Sequence, residues 1–326
     1  MRKWFVLGAG LSMVTAVAAD AQGAANTCAP DASQDACQMA VDIFQLMSPQ
    51  LGLALAGGNA TLGSGSTLGG PGHFSVGLRA NFFQGDLPDI EAFPTPSVTG
   101  RVLRTLPTTS QLVGLATADA AIGIFRGVPL PLTNIGGIDL LLSASYIPTF
   151  GSTTSSVRVE PERNLQIGYG VRVGLLQESI VVPGVSFTFL KRDLPTTMMT
   201  GTSPELDVTV RDAKVKTSAY RIVASKNLLL FGLAGGIGQD KYSDEANVQG
   251  TVKVPSGSAT SEVIALSQDL TRTNYFLDLS LNFPLFKIIA EVGQVTGGTV
   301  ETYNEFEGGR ADDARTYGSV GFRIAF

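Results

Sequence analysis

The chain has 326 residues, a formal net charge of −5, one histidine and only 16% charged residues. This acidic balance, with no basic cluster interleaved with aromatics, excludes nucleic acid as a partner. The mean hydropathy of +0.21 is high for a secreted water-soluble protein, yet beyond the N-terminus no run of ~18 apolar residues could form a spanning helix.

Arg2 and Lys3 precede a largely apolar stretch from Trp4 to Ala19, followed by small residues at Ala19 and Ala21. This is the pattern of a secretory signal cleaved after Ala21. Removing residues 1–21 takes away Arg2, Lys3 and Asp20, which moves the formal charge from −5 to −6. Ala25-Asn26-Thr27 before Cys28 does not fit a lipoprotein signal. Cys28 and Cys37 lie close together in a chain bound for an oxidising compartment, so a local disulfide is expected. Their spacing is not C-x-x-C and His73 is the single histidine, so neither a metal nor a redox role is expected of them.

"DASQDACQMAVDIFQLM" has the spacing of a short amphipathic helix, with Asp31 or Ser33 as its cap and Met39, Ile43, Phe44 and Met47 on one side. Pro49 is expected to end it. A periplasmic helix covering a barrel mouth is the favoured placement, and a plug within a lumen is the alternative. The chain therefore divides into a signal peptide (1–21), a periplasmic segment with a short helix (22–49) and a β-barrel (50–326).

From there the period changes to two. "HFSVGLRANFF" sets Phe74, Val76, Leu78, Ala80 and Phe82 against Ser75, Gly77, Arg79 and Asn81. "IDLLLSASYI", "NLQIGYGVRVGLL" and "TNYFLDLSLNF" repeat the alternation over about 10 residues, the length a tilted strand needs to cross a bilayer. The second face mixes single charges with glycine and serine, as a lumen does, where a solvated sheet face would carry Thr, Lys and Glu. Aromatics recur toward strand ends at Phe82, Tyr146, Phe189, Tyr275, Phe283 and Phe326, which favours a membrane barrel over a soluble sandwich. The expected fold is all-β: a transmembrane antiparallel up-and-down barrel of about 12 strands, within a range of 10–14. The expected strands are 50–59, 73–84, 97–106, 115–127, 137–149, 164–176, 183–193, 206–225, 228–245, 262–283, 286–299 and 314–326. Tight turns are expected near Lys226-Asn227 and Pro284, with external extensions at 193–206 and 239–271.

The chain closes on "YGSVGFRIAF", where Val320, Phe322, Ile324 and Phe326 alternate with small or polar residues. This ending resembles the C-terminal signature of Gram-negative outer-membrane β-barrel proteins. The resemblance implies export to the cell outer membrane, contact with its lipid, and recognition by the barrel-assembly machinery. The helix followed by "LGLALAGGNATLGSGSTLGG" and glycine-rich strands looks, more distantly, like the long-chain fatty acid transporter-like barrels.

By phase, Arg79, Asp119, Asp139, Arg172, Arg221, Asp278, Lys287, Glu291 and Arg323 face the lumen. They form either a mixed-charge constriction that selects solutes or ion pairs that fill the barrel. "FGLAGGIGQD" lacks the helix that a dinucleotide loop requires, and alternation runs straight through it. No G-x-S-x-G is present, and one histidine makes no catalytic pair. No enzyme activity, cofactor or metal is therefore expected. The leading expectation is an outer-membrane channel or transporter through which small or apolar molecules diffuse. A structural or surface-interaction barrel with a closed lumen is the alternative, and a lipid-modifying enzyme ranks third.

Overall fold

The computed structural model describes residues 28–151 and 156–326; the expected signal peptide and cleavage site lie outside the described residues. Ten long strands follow the helix α1 (Gln34–Ala56). They are β1 (Phe74–Pro88), β2 (Thr108–Phe125), β3 (Gly137–Tyr146), β4 (Leu165–Leu176), β5 (Gly184–Asp193), β6 (Leu206–Leu228), β7 (Phe231–Val254), β8 (Ile264–Asn282), β9 (Lys287–Thr296) and β10 (Arg315–Ala325). Each pairs antiparallel with the next in sequence. The last pairs with the first, from Ser75↔Ala325 to Phe83↔Tyr317, so the pairings run in a ring.

The period-2 pattern explains which face turns out. Val76, Leu78, Leu140, Ile167, Ile222, Leu233, Leu277, Leu279 and Val292 are exposed on the outer surface. Arg79, Asp139, Arg172, Arg221 and Asp278, on the opposite phase, are buried inside. The apolar band spans about nine residues per strand, the height of a bilayer core crossed at a tilt. β6, β7 and β8 run past it. Their outward residues turn polar at Lys216 and Ser218, at Gln239 and Lys241, and at Thr271 and Thr273.

The connections are shorter on average at one end. Those at 126–136, 177–183, 229–230 and 283–286, the short set, share an end with Phe74 and Phe326; those at 89–107, 147–164, 194–205, 255–263 and 297–314, the long set, share the other, although 126–136 exceeds 255–263. The expected extension at 239–271 is therefore mostly strand, the upper parts of β7 and β8. Above 193–206 a small sheet adds Val157–Pro161 and Thr197–Thr202 to β6.

Four expectations are corrected. The ring holds ten strands rather than about twelve, although the described residues contain further short strands. Residues 50–59 form no strand: Leu51, Leu53 and Leu55 alternate, but the segment is the end of α1 and the turn after it. Residues 97–106 contribute only Thr105–Leu106, bridged in parallel to Glu305–Phe306. The helix is 23 residues long and contains Pro49 rather than stopping at it. A proline there forgoes one backbone bond, which packing on all sides of a buried helix can outweigh.

The seam between β1 and β10 is fastened at its end by Phe326. Phe74 and Phe326 exchange backbone hydrogen bonds (3.0 and 2.9 Å), and their rings stack at 5.1 Å. Val320, Phe322 and Phe326 face outward and Ile324 is half-buried. Deleting Phe326 removes both hydrogen bonds and the ring contact. It is expected to lower the yield of heat-modifiable protein in membranes more than Leu279→Ala does; equal yields would contradict this.

Candidate functional site

The lumen is occupied. The helix α1 enters from the long-connection end, and residues 57–73 continue down to the short-connection end, where β1 begins. Around the upper half of the helix lies an apolar cap. Ala36, Met39, Ala40, Ile43, Phe44 and Leu46 pack against Val208 and Val210 of β6, Tyr242 and Val248 of β7, and Leu106 and Phe306 of the long connections. Met47, expected on the same side, lies at the margin of this cap.

Cys28 and Cys37 are disulfide-bonded at this end, closing a loop over the helix start. The helix begins after Ser33, whose side chain makes no capping bond; it donates instead to Asp31 Oδ1 (2.6 Å).

Polar helix residues tie the long connections down. Asp35 accepts from the Ser97 and Val102 amides and from Arg104 (2.7, 3.0 and 2.8 Å). Asp42 accepts from the amides of Tyr303 and Asn304 (both 3.0 Å) and from the Asn304 side chain (2.8 Å). Burial raises the Asp42 carboxyl above its ordinary value, and those hydrogen bonds oppose the rise. Arg101 stacks on Tyr303 at 4.6 Å, joining two connections above the helix. Lower down, Ser48 donates to Asp244 of β7. Burial, with Asp269 adding repulsion, pushes Asp244 up to about 8, so it is mostly protonated at neutral pH.

The C-terminus of α1 is where wall and plug fit most closely. A helix leaves its last four carbonyls without intrahelical partners and carries partial negative charge there. The last turn of α1 has no basic residue of its own. The wall supplies the donors: Asn81 of β1 reaches Leu53 O and Ala54 O (3.3 and 3.2 Å), Arg192 of β5 reaches Leu55 O (3.1 Å), and Arg221 of β6 reaches Ala56 O (3.0 Å). The two arginines are countered by Asp119 (3.0 Å) and Asp240 (2.5 Å).

Residues 57–73 are fixed in the same way. Arg79 donates to Asn59 O (2.8 Å) and Arg323 to Leu62 O (3.1 Å). Asp278 accepts from the Asn59 side chain (2.9 Å) and the Gly63 amide (2.8 Å), and Glu291 accepts from the Asn59 amide (2.8 Å). Arg172 bonds Thr61 Oγ1 (2.6 Å) and pairs with Asp139 (2.7 Å), which accepts from the Leu68 amide. Gly58 has φ +85°, and a Cβ there would collide with the Glu291 carboxylate. The glycine-rich composition of this stretch thus follows from a chain turning inside a narrow lumen.

Of the residues expected to face the lumen, Arg79, Asp139, Arg172, Arg221, Asp278, Glu291 and Arg323 contact the plug directly or through a paired partner. Asp119 bridges Arg79 (3.4 Å) and Arg192. Lys287 lies at the short-connection mouth, donating to Asn227 Oδ1 (2.9 Å). Sequence reasoning set Asn81 on the lumen face without naming it as a site residue, and missed Arg192 and Asp240. All three were legible by phase, since Phe187 and Phe189 point outward beside Arg192, and Leu233 and Ile237 beside Asp240.

The helix is therefore not a periplasmic cover, the favoured expectation. Its polar residues have partners only within the ring and its end loops. A cavity of about 30 Å³ remains beside Thr61, Arg79, Asp119 and Arg323, room for about one water molecule. His73 lies at the short-connection end beside Gly70 O, 3.3 Å away. Among the described residues no His/Cys/Asp/Glu group is arranged to hold a metal.

No family model matches the sequence, and no curated protein does. Among solved structures, the chain is similar to the translocator domain of autotransporter NalP from Neisseria meningitidis, at 11% identity, covering 77% of this chain and 87% of that one, with a TM-score of 0.36. It is also similar to the Pseudomonas putida toluene transporter TodX (9%, 92% and 96%, TM-score 0.29). A third is Ail, the attachment invasion locus protein of Yersinia pestis (12%, 78% and 99%, TM-score 0.21). Likeness at this level carries none of their activities to this chain.

Proposed function

We propose that the chain is an outer-membrane β-barrel of a Gram-negative-type bacterium, held shut by its own N-terminal helix and acting through its long-connection face. The observation that carries this reading is that side chains of the wall donate to all four terminal carbonyls of α1, to Leu53 O beside the Gly57 amide and to Ala54 O, Leu55 O and Ala56 O. A helix merely resting in a pore would leave them to water. The apolar outer band supports the membrane placement, and lipid and the barrel-assembly machinery are its expected partners. Short connections belong on the periplasmic side of such barrels and long ones outside, so the disulfide-closed start of the helix is presented at the outer face.

Diffusion of small or apolar molecules through the lumen, the first expectation from sequence, requires the helix and residues 57–73 to leave. No covalent chemistry is proposed, because the single histidine has no catalytic partner at hydrogen-bond reach.

An epitope inserted between residues 21 and 28 tests the direction of the helix. Antibody should bind it on intact cells. Binding only after the outer membrane is permeabilised would overturn the proposed arrangement.

A further inference from the structure

The apolar outer surface ends differently at its two ends. Toward the long connections β3, β6 and β8 carry Tyr146, Tyr220 and Tyr275, whose rings suit the apolar band and whose hydroxyls suit water; beyond them β6, β7 and β8 turn polar, while exposed apolar residues such as Leu112, Leu103 and Phe150 are scattered among polar and charged ones. Toward the short connections the exposed aromatics include Phe74, Phe125, Phe231, Phe283, Phe322 and Phe326. Phenylalanine has no polar tip, so this row marks no boundary with water. Past it the surface stays apolar: Leu130 and Leu132, Ile180 and Val181, Leu229 and Leu230, and Leu285 are exposed at the tips of the four short connections.

Four further features fit a site out of water. The charged residues of these connections are Arg126 and Glu178 alone, and Glu178 turns to accept from the Asn227 amide and side chain. Pro129, Pro131, Pro183 and Pro284 remove backbone donors that would need partners. Lys226 gathers the carbonyls of Ser179, Ile180 and Val182 on its ammonium (2.5, 2.8 and 3.4 Å). Such pairing is what buried backbone requires. Finally, Leu229 holds φ +54° in a two-residue turn, a conformation usually given to Gly, Asn or Asp. Leu229 is 96% exposed, so packing of its side chain within the ring does not account for a leucine there.

We propose that the short-connection end is a lipid-docking surface, its four tips set into the acyl–headgroup boundary of the periplasmic phospholipid leaflet. This rests on the reading that the outer band spans a membrane, with which the tips are continuous through Leu228, Phe231 and Phe283.

The test uses the fact that Trp4 is the single tryptophan of the sequence, so residues 22–326 have none. Leu230→Trp is refolded into phosphatidylcholine–phosphatidylglycerol vesicles with plain or brominated acyl chains. Leu279→Trp in the band and Leu103→Trp in a long connection serve as references, and Leu285→Trp replaces Leu230→Trp should that variant not fold. The brominated chains are expected to quench the tip tryptophan at least about half as strongly as that at position 279, with position 103 unaffected. If the tip tryptophan matches position 103 while position 279 is quenched, the docking surface is wrong and a water-exposed end is right. If position 279 is not quenched either, the membrane-spanning reading itself falls.

Discussion

Arg221→Ala is expected to destabilise the folded protein by about 3–5 kcal/mol, the range for removing one partner of a buried ion pair. Arg221 and Asp240 are both almost wholly buried and lie 2.5 Å apart, and Arg221 also binds the last carbonyl of α1. The substitution leaves Asp240 with only the Asn274 amide (2.9 Å) as a side-chain donor and leaves Ala56 O without its wall partner. The urea midpoint of the heat-modifiable form should fall accordingly. Arg221→Met with Asp240→Leu should recover most of the loss, because apolar residues of similar volume often replace a buried pair at little cost. A single-variant loss below about 1 kcal/mol would show that surface-like solvation, rather than burial, governs this pair.

A second large effect is expected in permeability. Asn81→Ala combined with Arg192→Ala strips Ala54 O and Leu55 O of their wall donors, while Leu53 O keeps the Gly57 amide. Each buried acceptor left unpaired costs about 1–3 kcal/mol. Part of that cost is relieved when the helix leaves and water enters. At about 1.4 kcal/mol per tenfold, the open population should rise on the order of a hundredfold. Current steps in a planar bilayer would report it. The variant removes wall groups and leaves the helix sequence intact, so new current would reflect weakened docking rather than a missing plug.

The outer face was legible in the sequence and the inner arrangement was not. Alternation from Phe74 through Phe326 fixes which residues face out, because a strand has one period and two faces. It equally put Arg79, Asp139, Arg172 and Glu291 inside. Periodicity carries no information about what those charges meet. Gln38, Asp42 and Gln50 look like the polar side of a surface helix, yet each is buried and bonded to another residue of the fold. Leu51, Leu53 and Leu55 alternate like a strand because the last turns of the helix, LGLALA, carry no polar residue to reveal the 3.6 period. The ion pairs along the lumen serve as anchors for a plug more than as a constriction, a distinction set by residues far apart in the chain, such as Asn59 and Glu291 at 232 positions or Leu62 and Arg323 at 261.

The direct test of the closed lumen is conductance of the refolded chain, residues 22–326, in a planar bilayer. Intact protein should insert without steady current, while the Asn81→Ala, Arg192→Ala variant under the same voltage shows discrete openings. Stable ohmic steps from the intact protein, equal to those of the variant, would contradict a lumen closed by its own N-terminal helix.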